Sequence, residues 1–273
     1  MIAVFGPSAA AERRVRVRWP DGSVGVGRVV ADGAAVEPCS GTVLEPGPAT
    51  GPARGWEGVT LLAPVEPTKV VGIGSNYRDH AREMGKPIPT VPKVFLKPST
   101  AVVGPGAPIP LPPGTARVDH EAELGVVIGA VAHRVPAAQA AAVIAGYTVV
   151  NDVTARDFQQ ADGVFARAKG FDGFCPVGPC LAVGLDPAAL AVRAWVDGAP
   201  RQDGTTAEMV FDVAALVAFV SDIMTLLPGD IIATGTPAGV GPLRAGQVVR
   251  VAVEGIGALD SPVVDRDDRA ASA

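Results

Sequence analysis

Runs of strand length, apolar or alternating, are cut apart by glycine and proline along almost the whole chain, and this pattern restricts it to a β-rich fold. With 33 Gly and 26 Pro in 273 residues, few intervals between breakers can hold a helix of several turns. Strands are expected at Lys93–Lys97, Glu121–Ile128, Tyr147–Val150, Ala191–Val196, Asp230–Thr234 and Val248–Val253,. Few helices interrupt them, so the expected class is α+β, mostly β, in place of a doubly wound sheet. Nearer the start, RVRVRW (residues 14–19) alternates strictly and meets the turn Pro20-Asp21-Gly22 before VGVGRVV (24–30). Together they predict an antiparallel hairpin with its arginines on a solvated face. The stretch EPGPATGPARG (45–55) reads as a linker,. The expected organisation is a small N-terminal β domain over 1–60, a main domain over 68–264 and a mobile, alanine-rich tail over 265–273,.

Charge and cysteine usage narrow the function. A net charge of −5 and a sequence pI of about 5.2 supply no basic surface for nucleic acid,. Cys39, Cys175 and Cys180 form neither a disulfide framework nor a four-ligand zinc site, and the last two read as small buried apolar side chains,. The start MIAVFGPSAAAERR lacks a basic region followed by a sustained apolar core, so no signal peptide and a reducing, cytoplasmic location are expected,. Met209–Leu227 is apolar but interrupted by Asp212 and Asp222, which predicts a buried helix and no membrane span,.

Three segments offer chemistry. In VVGIGSNYRDHAREMG (70–85) a dinucleotide loop would need a glycine where Tyr77 stands, and no Gly-Lys-Ser/Thr follows for a Walker loop,. A tight strand-to-helix turn remains, with Ser75 or Asn76 as cap and Gly85 as the stop. On that helix His80 and Glu83 share a face. They are either an exposed surface pair or a general base whose tautomer the carboxylate fixes. In VDHEAELGVVIG (118–129), Glu121 and Glu123 project to one side of a strand, about 7 Å apart along the backbone,. Ala122, Leu124, Val126 and Ile128 face a core on the other side. The two glutamates are the strand's wet side or the pincers of a cation site. Asp152, in GYTVVNDVTARDFQQ (146–160), is a helix cap or a third ligand,. Three carboxylates would suit Mg²⁺ or Mn²⁺ first, with Ca²⁺ a further hard-ion option, and the absence of clustered His and Cys argues against zinc. Lys169, in a loop, is by default solvent-exposed. Thr236 lies in a glycine-rich turn that by default only turns the chain, although its N–H groups could cradle a carboxylate. His120 reads as a core side chain and His133 as a turn residue before Pro136.

The segments SNYRDHAREMG, FLKPSTAVVGPGAPI, VDHEAELGVVIG, NDVTARDFQQADG, RAKGFDGFCPVGP and MTLLPGDIIATGTPAGVGPLRAGQVVRVAVEGIG, taken in order, resemble the signatures of the fumarylacetoacetate hydrolase family over residues 68–264. The resemblance implies a mixed β-sandwich roll, a homodimer, and Mg²⁺ or Mn²⁺ held by Glu121, Glu123 and Asp152. It also implies that His80 and Glu83 activate water, and that Arg156, Gln159, Lys169 and Thr236 meet the substrate, Lys169 with a catalytic part. Two departures, Val164-Phe165 and Cys180, are expected to adjust pocket shape. The implied activity is hydrolysis of a carbon-carbon bond in acylpyruvate-type 2,4-diketo acids, small 2-oxo acid substrates of the fumarylacetoacetate or fumarylpyruvate kind. The alternatives are decarboxylation of oxaloacetate, isomerisation of 2-hydroxyhepta-2,4-diene-1,7-dioate in aromatic catabolism, or a non-catalytic metal-binding scaffold.

Overall fold

The computed structural model describes Phe5 and residues 11–266; the expected tail beyond residue 266 and most of the first ten residues lie outside them. Alternation sets the first strands. β1 (Glu12–Arg18) and β2 (Val24–Val30) pair antiparallel, Val15 and Val17 turn inward, and Arg14, Arg28 and Arg16 turn outward to Glu12 and Glu66. β3 (Ala35–Gly41) follows, then β4 (Pro46–Ala49), so part of the Pro/Gly-rich stretch expected as a linker is an edge strand bonded to β3. Edge positions tolerate proline because no neighbour needs its missing N–H.

The middle of the chain gives β5 (Thr60–Leu61), β6 (Lys69–Gly74), β7 (Lys93–Pro98), β8 (Val102–Val103), β9 (Ile109–Leu111), β10 (Val118–His120), β11 (Ala122–Ile128), β12 (Ile144–Asn151) and β13 (Thr154–Ala155). The rest gives β14 (Cys175–Val183), β15 (Ala191–Val196), β16 (Ala199–Thr205), β17 (Ile231–Ala233), β18 (Gly241–Leu243), β19 (Val248–Val253) and β20 (Gly257–Asp265). A curled twelve-stranded sheet runs β4-β3-β2-β1-β14-β12-β11-β17-β6-β7, with β5 on β1 and β8 on β14. A five-stranded sheet, β16-β15-β19-β20-β9, and a three-stranded one, β13-β10-β18, complete the mostly β, sandwich-like roll. The N-terminal hairpin is bonded to β14 in register Glu12↔Val183, and Val15 and Val17 belong to the main core.

β11 is buried along its whole length. Leu124, Val126 and Ile128 enter the large core between the sheets, and Val127 enters a smaller one with Val150, Val177 and Ile231. Each such side chain contributes about 1.5–3 kcal/mol by leaving water. This doubly covered strand is the rigid floor on which the site stands. Because β11 is antiparallel to β12 and β17, and β17 is parallel to β6, the start of β11 and the ends of the other three meet at one edge (Ala122↔Asn151, Gly125↔Ala233, Ala233↔Gly72).

Four α-helices are present among the described residues: α1 (Arg78–Glu83), α2 (Arg156–Asp162), α3 (Ala166–Lys169) and α4 (Val213–Ile223). α4 is shorter than the apolar run that predicts it, because Asp212 caps it by accepting from the Ala215 N–H at 2.8 Å. None of the helices is long and apolar enough to cross a membrane. α1 is not capped by Ser75 or Asn76; Tyr77 holds the N-cap position without a side-chain bond. Asn76 instead donates to the carbonyls of Phe211 (3.0 Å) and Thr234 (2.8 Å), tying the turn to two distant segments. Gly85, at φ +61°, ends the helix as expected, with the Lys86 N–H bonded back to Ala81 O at 2.9 Å,.

Candidate active site

Glu121 sits at the break between β10 and β11, Glu123 one step into β11, and Asp152 just past β12. All three are buried, and each offers an oxygen within 4.8 Å of the others. Asp152 is no helix cap, since Ala155 holds that position for α2. Burial works against charge on Glu121, but Lys169 and Arg156 outweigh it and hold the carboxyl well below the usual carboxylate range. Glu123 goes the other way. Burial, then Asp152 and Glu121, push its carboxyl well up, and its bonded partner is the backbone N–H of Gly235 at 2.8 Å. The turn that could cradle a carboxylate thus cradles the chain's own Glu123. An all-oxygen, buried donor set with one carboxyl lacking a cationic partner fits a hard divalent ion.

Lys169 departs from the exposed default. It is buried at the end of α3, and its ammonium donates to Glu121 (3.0 Å), Thr154 Oγ1 (2.8 Å) and Asp152, so all three N–H bonds are used,. It also lies 4.6 Å from the centre of the Phe95 ring,. Burial alone would lower its pKa, but Asp152 and Glu121 raise it, so it stays an ammonium. Arg156, at the start of α2, donates to Glu121, to Asp119 (2.8 Å) and to Gln159 Oε1 (3.2 Å), which leaves the Gln159 amide N–H groups for the pocket. Two charged members were not singled out from sequence. Lys97 is fully buried, with its Nζ 2.5 Å from Asp152, and Asp119 is fully buried between Arg117 and Arg156. Alternation carried the signal for Lys97: in β7 it shares the inward face with Phe95 while Leu96 points out,.

His80 Nδ1 lies 3.0 Å from Glu83 Oε2, so Nδ1 carries the proton and Nε2 the free lone pair,. Glu83, 34% exposed, sits behind the imidazole, with its other oxygen accepting from the Gly239 N–H at 3.0 Å. One pocket is lined by His80, Glu121, Glu123, Asp152, Arg156, Gln159, Lys169 and Thr236. Its outer wall holds Gly74, Ser75, Met84, Lys86 and Phe165, the last edge-on to Phe95. Ser75 has φ +59°, a strained conformation for a non-glycine residue and one that clusters at functional sites,. Phe165 therefore does shape the pocket. Cys180 does not: it is buried in the main core against Ile256 O, and burial pushes its thiol up to about 12, as it does for Cys175. His120 is buried as expected, and His133 is exposed beside Thr225.

Residues 69–264 match the family model described as fumarylacetoacetate (FAA) hydrolase, C-terminal. The chain belongs to the fumarylacetoacetate hydrolase family. The Mycobacterium tuberculosis protein Rv2993c is 49% identical over 259 residues, covering 91% of this chain and 97% of that protein. Among solved family structures, 2-hydroxyhepta-2,4-diene-1,7-dioate isomerase from Mycobacterium marinum is 44% identical with a TM-score of 0.86, covering 93% of this chain and 99% of its own. Fumarylpyruvate hydrolase from Pseudomonas aeruginosa, solved in complex with Mn²⁺ and pyruvate, is 34% identical with a TM-score of 0.69, covering 76% and 92%.

Proposed function

We propose that the chain is a divalent-metal-dependent hydrolase that cleaves a carbon-carbon bond in acylpyruvate-type 2,4-diketo acids. The observation that carries this reading is the His80–Glu83 pair set in the wall of the same pocket that holds Glu121, Glu123 and Asp152. Those three carboxylates would hold Mg²⁺ or Mn²⁺, with Ca²⁺ the further hard-ion option, and the bound ion would supply a Lewis acid for the 2-oxo acid end of the substrate. The Mn²⁺ and pyruvate in the fumarylpyruvate hydrolase complex support that pairing of ion and ligand.

His80 Nε2 takes a proton from water while Nδ1–H stays bonded to Glu83,. The water oxygen adds to the distal carbonyl. The bond between that carbon and the adjacent methylene then breaks, its electron pair staying on the methylene carbon, which is protonated to give pyruvate beside the released acid. With its three N–H groups bonded to Glu121, Asp152 and Thr154, the Lys169 ammonium would stabilise the developing negative charge through space, the Gln159 amide N–H groups would donate to it, and Arg156 lines the same pocket to bind carboxylate oxygen,. At the outer wall Lys86 has no ion-pair partner among the described residues and stands with Met84 and Phe165. An apolar wall ending in one ammonium suits a tail with an unsaturated body and a terminal carboxylate, as in fumarylpyruvate, over the neutral tail of acetylpyruvate.

The likeness to the M. marinum isomerase favours a second reading, isomerisation of an unsaturated 2-hydroxy dioate, with His80 moving a proton between carbons and no water attacking. Decarboxylation of oxaloacetate would use the same 2-oxo acid end. A panel of acetylpyruvate, fumarylpyruvate, oxaloacetate and 2-hydroxyhepta-2,4-diene-1,7-dioate, each assayed with Mg²⁺, Mn²⁺, Zn²⁺ and EDTA, separates the readings. Hydrolysis is expected to be fastest on fumarylpyruvate, better with Mg²⁺ or Mn²⁺ than with Zn²⁺. Full activity in EDTA, or turnover confined to the heptadienedioate, would overturn it.

A further inference from the structure

The two glutamates can converge only if the backbone between them is held, and every polar group of residues 121 and 122 has an identifiable partner. Glu121 N–H donates to Asn151 Oδ1 (3.0 Å), and Glu121 O accepts from Asp152 N–H (2.9 Å). Ala122 N–H donates to Gln202 Oε1 (3.0 Å), and Ala122 O accepts from Thr236 Oγ1 (2.9 Å). The first two partners are Asp152, itself part of the acidic centre, and its neighbour Asn151. Gln202 does not: it comes from β16, in the five-stranded sheet, and is buried beneath the site.

The orientation of the Gln202 amide follows from its neighbours. Pro237 O can only accept, and it lies 2.8 Å from Gln202 Nε2, so that nitrogen is the amide donor; its second bond goes to Thr236 Oγ1 at 2.7 Å,. Oε1 is then an acceptor, and it takes both the Ala122 N–H and His120 Nδ1, 3.1 Å away. His120 must therefore carry its proton on Nδ1. Its Nε2 is a buried lone pair with no partner among the described residues, facing Gly241 of β18. Thr236 passes the constraint on, since the hydroxyl that accepts from Gln202 donates to Ala122 O.

We propose that Gln202 is the positioning residue of the acidic centre: its amide, set by Pro237 and His120, clamps Ala122 directly and through Thr236, and so fixes Glu121 and Glu123 relative to each other. The Thr236 hydroxyl is spent on this clamp. The metal half of the proposal rests on the function proposed above; the tautomer half does not.

Two measurements test it. The chain has three histidines, so imidazole ¹⁵N signals of the Mg²⁺-supplemented protein can be assigned with His80→Ala and His133→Ala variants. His120 is expected as the neutral Nδ1–H tautomer, and a proton on Nε2 would overturn the clamp whether or not any variant folds. In Gln202→Leu that tautomer should lose its preference, and Mn²⁺ affinity by calorimetry should fall at least about tenfold, as loss of a group that orients ligands does. Val192→Ala, a core truncation on neighbouring β15, is the stability control and should keep Mn²⁺ affinity. Wild-type affinity in Gln202→Leu would refute the positioning role. No Mn²⁺ binding by the wild type would instead remove the function proposed above, and the tautomer would still decide the clamp.

Discussion

If the imidazole of His80 is the base and Glu83 acts through it, the two substitutions should not add. Glu83 offers two oxygens to two donors, His80 Nδ1–H and Gly239 N–H, each at 3.0 Å. Glu83→Gln keeps one acceptor oxygen and loses the charge. A hydrogen bond to a charged group is worth about 1.5–3 kcal/mol. Because the Glu83 side chain is 34% exposed, water replaces part of that, so the low end, about 1.5 kcal/mol or roughly tenfold in rate, is expected. His80→Ala removes the base and should cost about 10²- to 10⁴-fold, or about 2.7–5.4 kcal/mol. In the double variant nothing remains for Glu83 to orient, so its rate should match His80→Ala and the coupling energy should be about 1.5 kcal/mol. The assay is the initial rate of fumarylpyruvate hydrolysis with saturating Mn²⁺, beside calorimetric Mn²⁺ affinity, which should be unchanged in all three variants. Additive losses would show that Glu83 works through the Gly239 loop and not through the imidazole. Loss of Mn²⁺ from His80→Ala would make His80 a ligand and end its assignment as base.

Lys86→Ala should raise KM for fumarylpyruvate by about tenfold, the loss of roughly 1.4 kcal/mol in an exposed charged contact, and leave acetylpyruvate unchanged; equal effects on both would remove the rim ammonium from substrate selection. Asp230, whose carboxylate accepts from Lys69 Nζ (2.5 Å), Thr68 and Leu227, is held below its ordinary pKa by those bonds although burial opposes its charge. A depressed carboxyl stabilises the fold above its unfolded pKa and loses that effect as pH falls through its folded one. Asp230→Asn should therefore lower Tm by about 4–10 °C at pH 7, from roughly 2–3 kcal/mol, with the gap to wild type closing below about pH 4; a gap independent of pH would refute the charge argument. The chain is expected to run as a homodimer in light scattering, and a monomer with full activity would exclude a need for assembly.

What was legible in the sequence is what repeats over short spacings. The x-Glu-x-Glu alternation, the three-residue step from His80 to Glu83 and the inward valines of β1 depend only on the geometry of a strand or a helix, and the structure places each accordingly. Lys97 was legible by the same rule, because alternation in β7 puts it beside Phe95, but a lysine on an inward face counts as an error unless its counter-charge is known. That counter-charge, Asp152, lies 55 residues away. The same reasoning reverses the default for Lys169, which is buried because Glu121, Asp152 and Thr154 accept hydrogen bonds from all three of its N–H groups. Asn76 shows the converse. Its short side chain would serve as a cap if the helix were isolated, yet Phe211 and Thr234 claim it across 135 and 158 residues. Gln202 lies beyond reach altogether: its polar partners are 80 and 82 residues upstream and 34 and 35 downstream, and nothing near it in sequence marks it. The residues that would touch an ion or a substrate announce themselves through local chemistry, whereas those that hold them in place satisfy a donor and acceptor balance that exists only once the sheets have come together.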